Sequence, residues 1–116
     1  MRICFDLDGT ICETRSPEQK YSEVSPLPGA VQVMKKLKED GHYLIIATAR
    51  SQKTYNHNLG KILANSGKML FEWLDKHDIP YDEIWFGKPL ADLYVDDKGH
   101  RFMNWKELEK MFKNDR

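Results

Sequence analysis

The chain has 116 residues and a mass of 13.6 kDa, enough polypeptide for one domain and too little for two cores of ordinary size. Hydrophobic residues make up 41% and charged residues 31%, the balance of a folded globular protein rather than a disordered one. The 18 basic and 18 acidic residues cancel, so no global field draws the chain to nucleic acid or anionic lipid. No apolar run approaches the roughly 20 residues that a membrane helix needs, so no membrane insertion is expected.

In chain order, Arg2 to Phe5 is a short apolar run ending in Asp6, the pattern of a strand with polar chemistry at its C-terminal end. The segment 9–26 is rich in Gly, Ser and Pro and reads as loop. Leu27 to Asp40 is helical, with Leu27, Ala30, Val31, Met34 and Leu37 at helical spacing, Pro28 in the first turn and Gly41 past the end. Tyr43 to Ala47 is a continuous apolar run, as in a parallel strand buried on both faces. The polar segment 51–66 predicts a loop or small hairpin. Lys68 to His77 predicts a helix with Met69, Leu70, Trp73 and Leu74 inward, stopped by Pro80. Glu83 to Phe86 and Asp92 to Val95 predict two more short strands, and Trp105 to Phe112 a closing helix.

This alternation predicts an α/β fold: a Rossmann-like, mainly parallel sheet with helices on both faces, in one domain over residues 1–116. Met1 leads straight into a strand-like segment carrying acidic residues, which is no signal peptide. The two cysteines, Cys4 and Cys12, read as reduced thiols, and the expected location is cytoplasmic.

Four polar sets each follow a predicted strand: Asp6-Leu7-Asp8-Gly9-Thr10, then Thr48-Ala49-Arg50, then Gly87-Lys88-Pro89, then Asp96-Asp97. A parallel sheet would gather all four at one edge, where such sheets bind ligands. Carboxylates packed together repel, and the arrangement is reasonable only around a cation. Oxygen donors suit a hard ion, and Mg²⁺ characteristically uses one or two carboxylates together with a substrate phosphate. Lys88 and the Thr48 hydroxyl supply a charge and a donor suited to phosphate oxygens.

These four motifs, in this order, closely resemble those of the haloacid dehalogenase superfamily. The resemblance implies that Asp6 is the nucleophile and a metal ligand. It makes Asp8 the general acid and base, giving Mg²⁺ its backbone carbonyl. Thr48, Ala49, Arg50 and Lys88 would hold the phosphoryl group, and Asp97, rather than Asp96, would be the further direct ligand. Asp at position 8 points to a phosphatase, because a carboxylic acid there can protonate the leaving alkoxide and then activate water. Thr48-Ala49-Arg50 departs from the Thr-Gly or Thr-Asn of many relatives; Ala49 is small enough to keep its backbone amide available, and Arg50 reads either as a substrate contact or as an ordinary surface salt bridge. Residues 11–26 and 87–92 are too short for a substrate-selecting cap domain, so a capless member is expected.

Glu72-Trp73-Leu74, His77, Pro80-Tyr81-Asp82-Glu83-Ile84, Phe86-Gly87-Lys88-Pro89 and Tyr94-Val95-Asp96-Asp97 further resemble the small phosphatases of capsular polysaccharide biosynthesis. That implies a phosphorylated sugar or glycan precursor as substrate; a phosphatase of nucleotides or proteins is the alternative within the class. A receiver-like regulatory domain, also phosphorylated on Asp, is disfavoured because its acidic pair comes first and its acceptor mid-chain. Without a cap, a homo-oligomer is expected in which 51–66, including Tyr55 and His57, and a neighbouring subunit roof the site.

Overall fold

The computed structural model describes residues 1–114. Strands β1 (Arg2–Asp6), β2 (Tyr43–Ala47) and β3 (Glu83–Trp85) form one sheet in the order β1-β2-β3, every pair parallel. The register sets Asp6 opposite Ala47 and Ala47 opposite Trp85, so the three strands end side by side. The expected parallel α/β arrangement is therefore present. Among the described residues, the connections 7–29 and 86–104 hold nothing larger than the 3₁₀ turn Tyr21–Glu23.

Side chains alternate across a strand, and burial here follows that period. Phe5, Leu44 and Ile46 are buried, with Ile3 and Ile84 packed against them. The other face carries exposed Arg2, Cys4 and Trp85 and half-buried Tyr43, Ile45 and Glu83. The expectation that β2 is buried on both faces is thus corrected. Its apolar run conceals an alternation, and polar groups cover the outer side: the Tyr43 hydroxyl donates to Glu83 at 2.8 Å, and Arg2 lies 4.5 Å over the Tyr43 ring.

Helix α1 (Ala30–Glu39) starts later than its periodicity suggests, because Gly29 is held at φ +88°, outside helical space. Ala30, Val33, Met34 and Leu37 face the core. The predicted loop 51–66 is corrected. Its first part is a chain of turns, but α2 (Leu59–Ile62) runs through a π-helical stretch, Leu63–Gly67, into α3 (Lys68–Lys76) with helical dihedrals throughout. Asn58 starts it by accepting the Lys61 N–H at 3.0 Å. Gly60, Asn65 and Gly67 are poor helix formers, and buried Ser66 interrupts the apolar stripe between Ile62 and Leu70, so the pattern reads as loop. Asp78, in the left-handed region at φ 55°, ends α3, and the Ile79 N–H closes it on the Leu74 carbonyl at 3.0 Å.

The predicted strand 92–95 is also corrected: residues 89–101 are exposed and form no strand, with Leu93 73% and Val95 91% exposed. A strand needs a partner edge, and the alternation of this segment cannot say whether one accepts it.

Helix α4 (Trp105–Asn114) docks through Trp105, Leu108 and Phe112. The Trp105 indole lies 5.5 Å from the Phe5 ring and 5.6 Å from that of Phe102, and its N–H donates to the Thr10 carbonyl at 2.7 Å. A Cβ at Gly29 would come within 3.1 Å of the Trp105 Cβ, so α4 crosses the start of α1 where only glycine fits. Trp105→Ala should cost about 3–5 kcal/mol by urea unfolding, the usual effect of emptying a buried Trp site. A cost below about 1 kcal/mol would show that α4 contributes little to the core.

Candidate active site

At the end of β1 the chain turns at once. The N–H groups of Thr10, Ile11 and Cys12 all point to the Leu7 carbonyl, at 3.2, 2.9 and 3.1 Å, and Gly9 adopts φ +83°. Leu7 is fully buried between two half-buried aspartates, so Asp6 and Asp8 both line one hollow while the residue between them anchors the turn. Thr10 takes part through its carbonyl, the acceptor for Trp105.

Beyond β2, the Thr48 N–H donates to the Trp85 carbonyl at 2.8 Å, extending the ladder by one step. Thr48 is buried, and its hydroxyl accepts the Arg50 N–H at 3.0 Å, which leaves its own proton free to donate. Beyond β3, Lys88 brings its ammonium to 3.1 Å from Asp6 Oδ1 and 4.5 Å over the Tyr94 ring.

Asp6, Asp8, Ala49, Arg50 and Lys88 thus share a hollow of about 410 Å³ with Tyr21, Ser51, Lys53, Thr54, Leu90, Ala91 and Tyr94. Three of the four predicted polar sets contribute to it, although Thr48 of the second set is buried and is not itself part of the lining. The fourth does not: Asp96 and Asp97 are exposed and lie outside the lining, and no three or more His, Cys, Asp or Glu residues cluster as a metal site among the described residues. Asp96 is engaged locally, accepting the Lys98 N–H at 2.8 Å, and this bond above all holds its carboxyl below the usual value. The donor chemistry present, one or two carboxylates beside a phosphate-sized hollow, fits Mg²⁺, which tends to keep several waters rather than fill a protein cage.

Against this geometry, known proteins supply the family. The sequence model of the haloacid dehalogenase-like hydrolases matches residues 3–70. The chain belongs to this family. A Chlorobaculum tepidum protein named as a candidate 5'(3')-deoxyribonucleotidase is 31% identical over 81 residues, 66% of this chain and 37% of that protein. The chain therefore spans little more than a third of that curated relative. A crystal structure from Vibrio cholerae is 33% identical, with a TM-score of 0.80, covering 99% of this chain and 98% of the other. The D,D-heptose 1.7-bisphosphate phosphatase of B. bronchiseptica, solved with magnesium and phosphate, matches at 18% identity and a TM-score of 0.52, covering 97% of this chain and 63% of that one; the likeness is one of fold.

Several features of this hydrolase escape sequence reasoning. Arg50 is only 3% exposed in its side chain and holds Asp8 with two donors, Nε to Oδ2 at 3.2 Å and Nη2 to Oδ1 at 2.8 Å. Tyr21 enters the hollow from the 13–26 loop, where a lone aromatic in a polar stretch was the available signal. Tyr55 packs against the core, and His57 is exposed and bonded to Gln52 at 2.9 Å; neither lines the hollow, so the expected contribution of 51–66 comes from Ser51, Lys53 and Thr54 instead.

Both cysteines are free, Cys4 exposed and Cys12 buried behind Asp8. Burial, then the neighbouring Asp8 charge, push the Cys12 thiol up to about 12, with Arg50 opposing. A thiol raised in this way stays protonated at pH 8. A thiol reagent should therefore titrate one cysteine in the folded protein and two after unfolding. Rapid modification of both in the native state would contradict the burial of Cys12.

Proposed function

We propose that this hydrolase is a Mg²⁺-dependent phosphatase, a single capless domain over residues 1–116, that passes a phosphoryl group through Asp6. The observation that carries the reading is the convergence of Asp6, Asp8, Arg50 and Lys88 on one hollow at the strand ends, with Lys88 Nζ 3.1 Å from Asp6 Oδ1. Two carboxylates and preorganised cations are the parts that covalent phosphoryl transfer needs.

Asp6 attacks phosphorus while Asp8 protonates the departing oxygen; Asp8 then takes a proton from the water that cleaves the aspartyl-phosphate. Lys88 and the free proton of the Thr48 hydroxyl hold the phosphoryl oxygens, with the Ala49 and Arg50 backbone beside them. Mg²⁺ would be held by the Asp6 carboxylate and the Asp8 carbonyl and would neutralise charge on the phosphoryl oxygens; Asp97, the further ligand that the resemblance implies, lies outside the lining of the hollow and would have to move to reach it.

The proposed substrate is a small phosphorylated sugar or polysaccharide precursor for capsule synthesis, handled in the cytoplasm. This rests on the resemblance of residues 72–97 to the capsule-associated phosphatases. A nucleoside monophosphate is the second reading, favoured by the name of the Chlorobaculum relative and by the aromatic rings of Tyr21 and Tyr94 in the hollow. A homo-oligomer would shelter the open side of the hollow, and light scattering at micromolar concentration would refute it with a particle of 13.6 kDa.

The deciding experiment is steady phosphate release from sugar phosphates and nucleoside monophosphates with Mg²⁺. Asp6→Asn should abolish turnover with the fold intact, and chelator should abolish it reversibly. Lys88→Ala should lose on the order of 100-fold or more, and Lys53→Ala far less. A tenth of wild-type activity in Asp6→Asn, or full activity in excess chelator, would refute the mechanism.

A further inference from the structure

We propose that Tyr21 and Arg50 form a positioning device for Asp8, fixing which of its oxygens exchanges a proton during turnover. The inference rests on the phosphatase reading above and deepens it. Arginine is almost never this buried unless its charge is answered, and here one carboxylate answers it. Nη2 and Nε take one Asp8 oxygen each, which locks the carboxylate plane to the guanidinium plane.

The two oxygens are not equivalent. Oδ1 lies 2.8 Å from Arg50 Nη2 and 3.5 Å from the Cys12 thiol, whereas Oδ2 is engaged by Nε alone, at 3.2 Å. Oδ2 is left with the open lone pair. In the first step, an Asp6 oxygen bonds to phosphorus, the bond from phosphorus to the leaving alcohol oxygen breaks, and the proton on Oδ2 passes to that oxygen. In the second, water bonds to phosphorus, its proton goes to Oδ2, and the acyl phosphate bond breaks to regenerate Asp6.

Tyr21 holds the clamp in place. The Arg50 guanidinium carbon lies 4.1 Å from the Tyr21 ring centroid, within the range of a cation–π contact. Tyr21 is itself delivered by a braced strap. The Lys20 N–H donates to Glu23 at 2.8 Å around the 3₁₀ turn, and Glu13 accepts from the Ser25 N–H at 3.2 Å and from Gln19 at 3.1 Å. The Trp73 indole N–H of α3 grips the buried Val24 at its carbonyl, at 2.8 Å. The segment 13–25, too short to be a cap, thereby reaches the guanidinium that holds the acid–base carboxylate through one aromatic ring.

The test compares kcat/KM, which reports the first step, on 4-nitrophenyl phosphate and on glycerol phosphate. Nitrophenolate departs without a proton, and an alkoxide needs one, so a displaced Asp8 penalises only the second. Tyr21→Ala should lower the glycerol phosphate value about tenfold more than the nitrophenyl value, a part of the full worth of a general acid. Tyr21→Phe keeps the ring face and should restore the wild-type ratio, whereas Arg50→Lys lacks the two-pronged fork and should not. Equal losses on both esters, or none in Tyr21→Ala, overturn the proposal. A wild type inert on both esters would fail the phosphatase reading itself. The crystal structure of Tyr21→Ala would then decide the clamp: an Asp8 carboxylate turned away from Arg50 supports it, and an unmoved one refutes it.

Discussion

Parallel pairing of three short strands is the constraint on which the rest of this molecule depends. Each pair is in register at its C-terminal end, so the residues just past β1, β2 and β3 are delivered to one edge whatever course the loops then take. Asp6 and Asp8, Ala49 and Arg50, and Lys88 meet in one hollow without any long-range device. The strands are held by a core to which α1, α3 and α4 all contribute, and by Asp82, whose carboxylate accepts the Leu44 N–H at 2.8 Å while pairing with Lys38 of α1.

The hollow is built on opposed charges. Asp6 and Asp8 stand close in sequence at a strand end, and each has its own cation: Lys88 for Asp6, Arg50 for Asp8. The two pairings differ in kind. Lys88 is a compact point charge that a phosphate could share, while the fork of Arg50 is committed to both oxygens of Asp8. This division suits a nucleophile that must turn to its substrate and an acid–base group that must hold still.

Much of this was legible in the sequence, for a physical reason. β1, β2 and α4 bury one face each, and their apolar spacing survives in the order of residues. Polar groups placed directly after apolar runs mark strand ends, so Asp6, Asp8, Ala49, Arg50 and Lys88 could be found from residue order alone. The helix 59–67 was hidden because glycines and a buried serine fill positions where an apolar stripe would have betrayed it. Residues 92–95 misled in the opposite way: Leu93 and Val95 alternate like a strand, yet both are exposed, since pairing depends on an edge that local pattern does not encode. Tyr21 and the Arg50 clamp depend on contacts over long sequence separations, for which local spacing carries no signal.

The central claim is that Asp6 carries the phosphoryl group, and chemical trapping tests it most directly. Enzyme quenched in acid during turnover would be reduced with borohydride, which converts an aspartyl-phosphate to homoserine, and its peptides read by mass spectrometry. The account predicts homoserine at position 6, only when a phosphate ester is present, with Asp8 unchanged. Steady phosphate release without reduction at Asp6, or reduction at Asp8 instead, would contradict it.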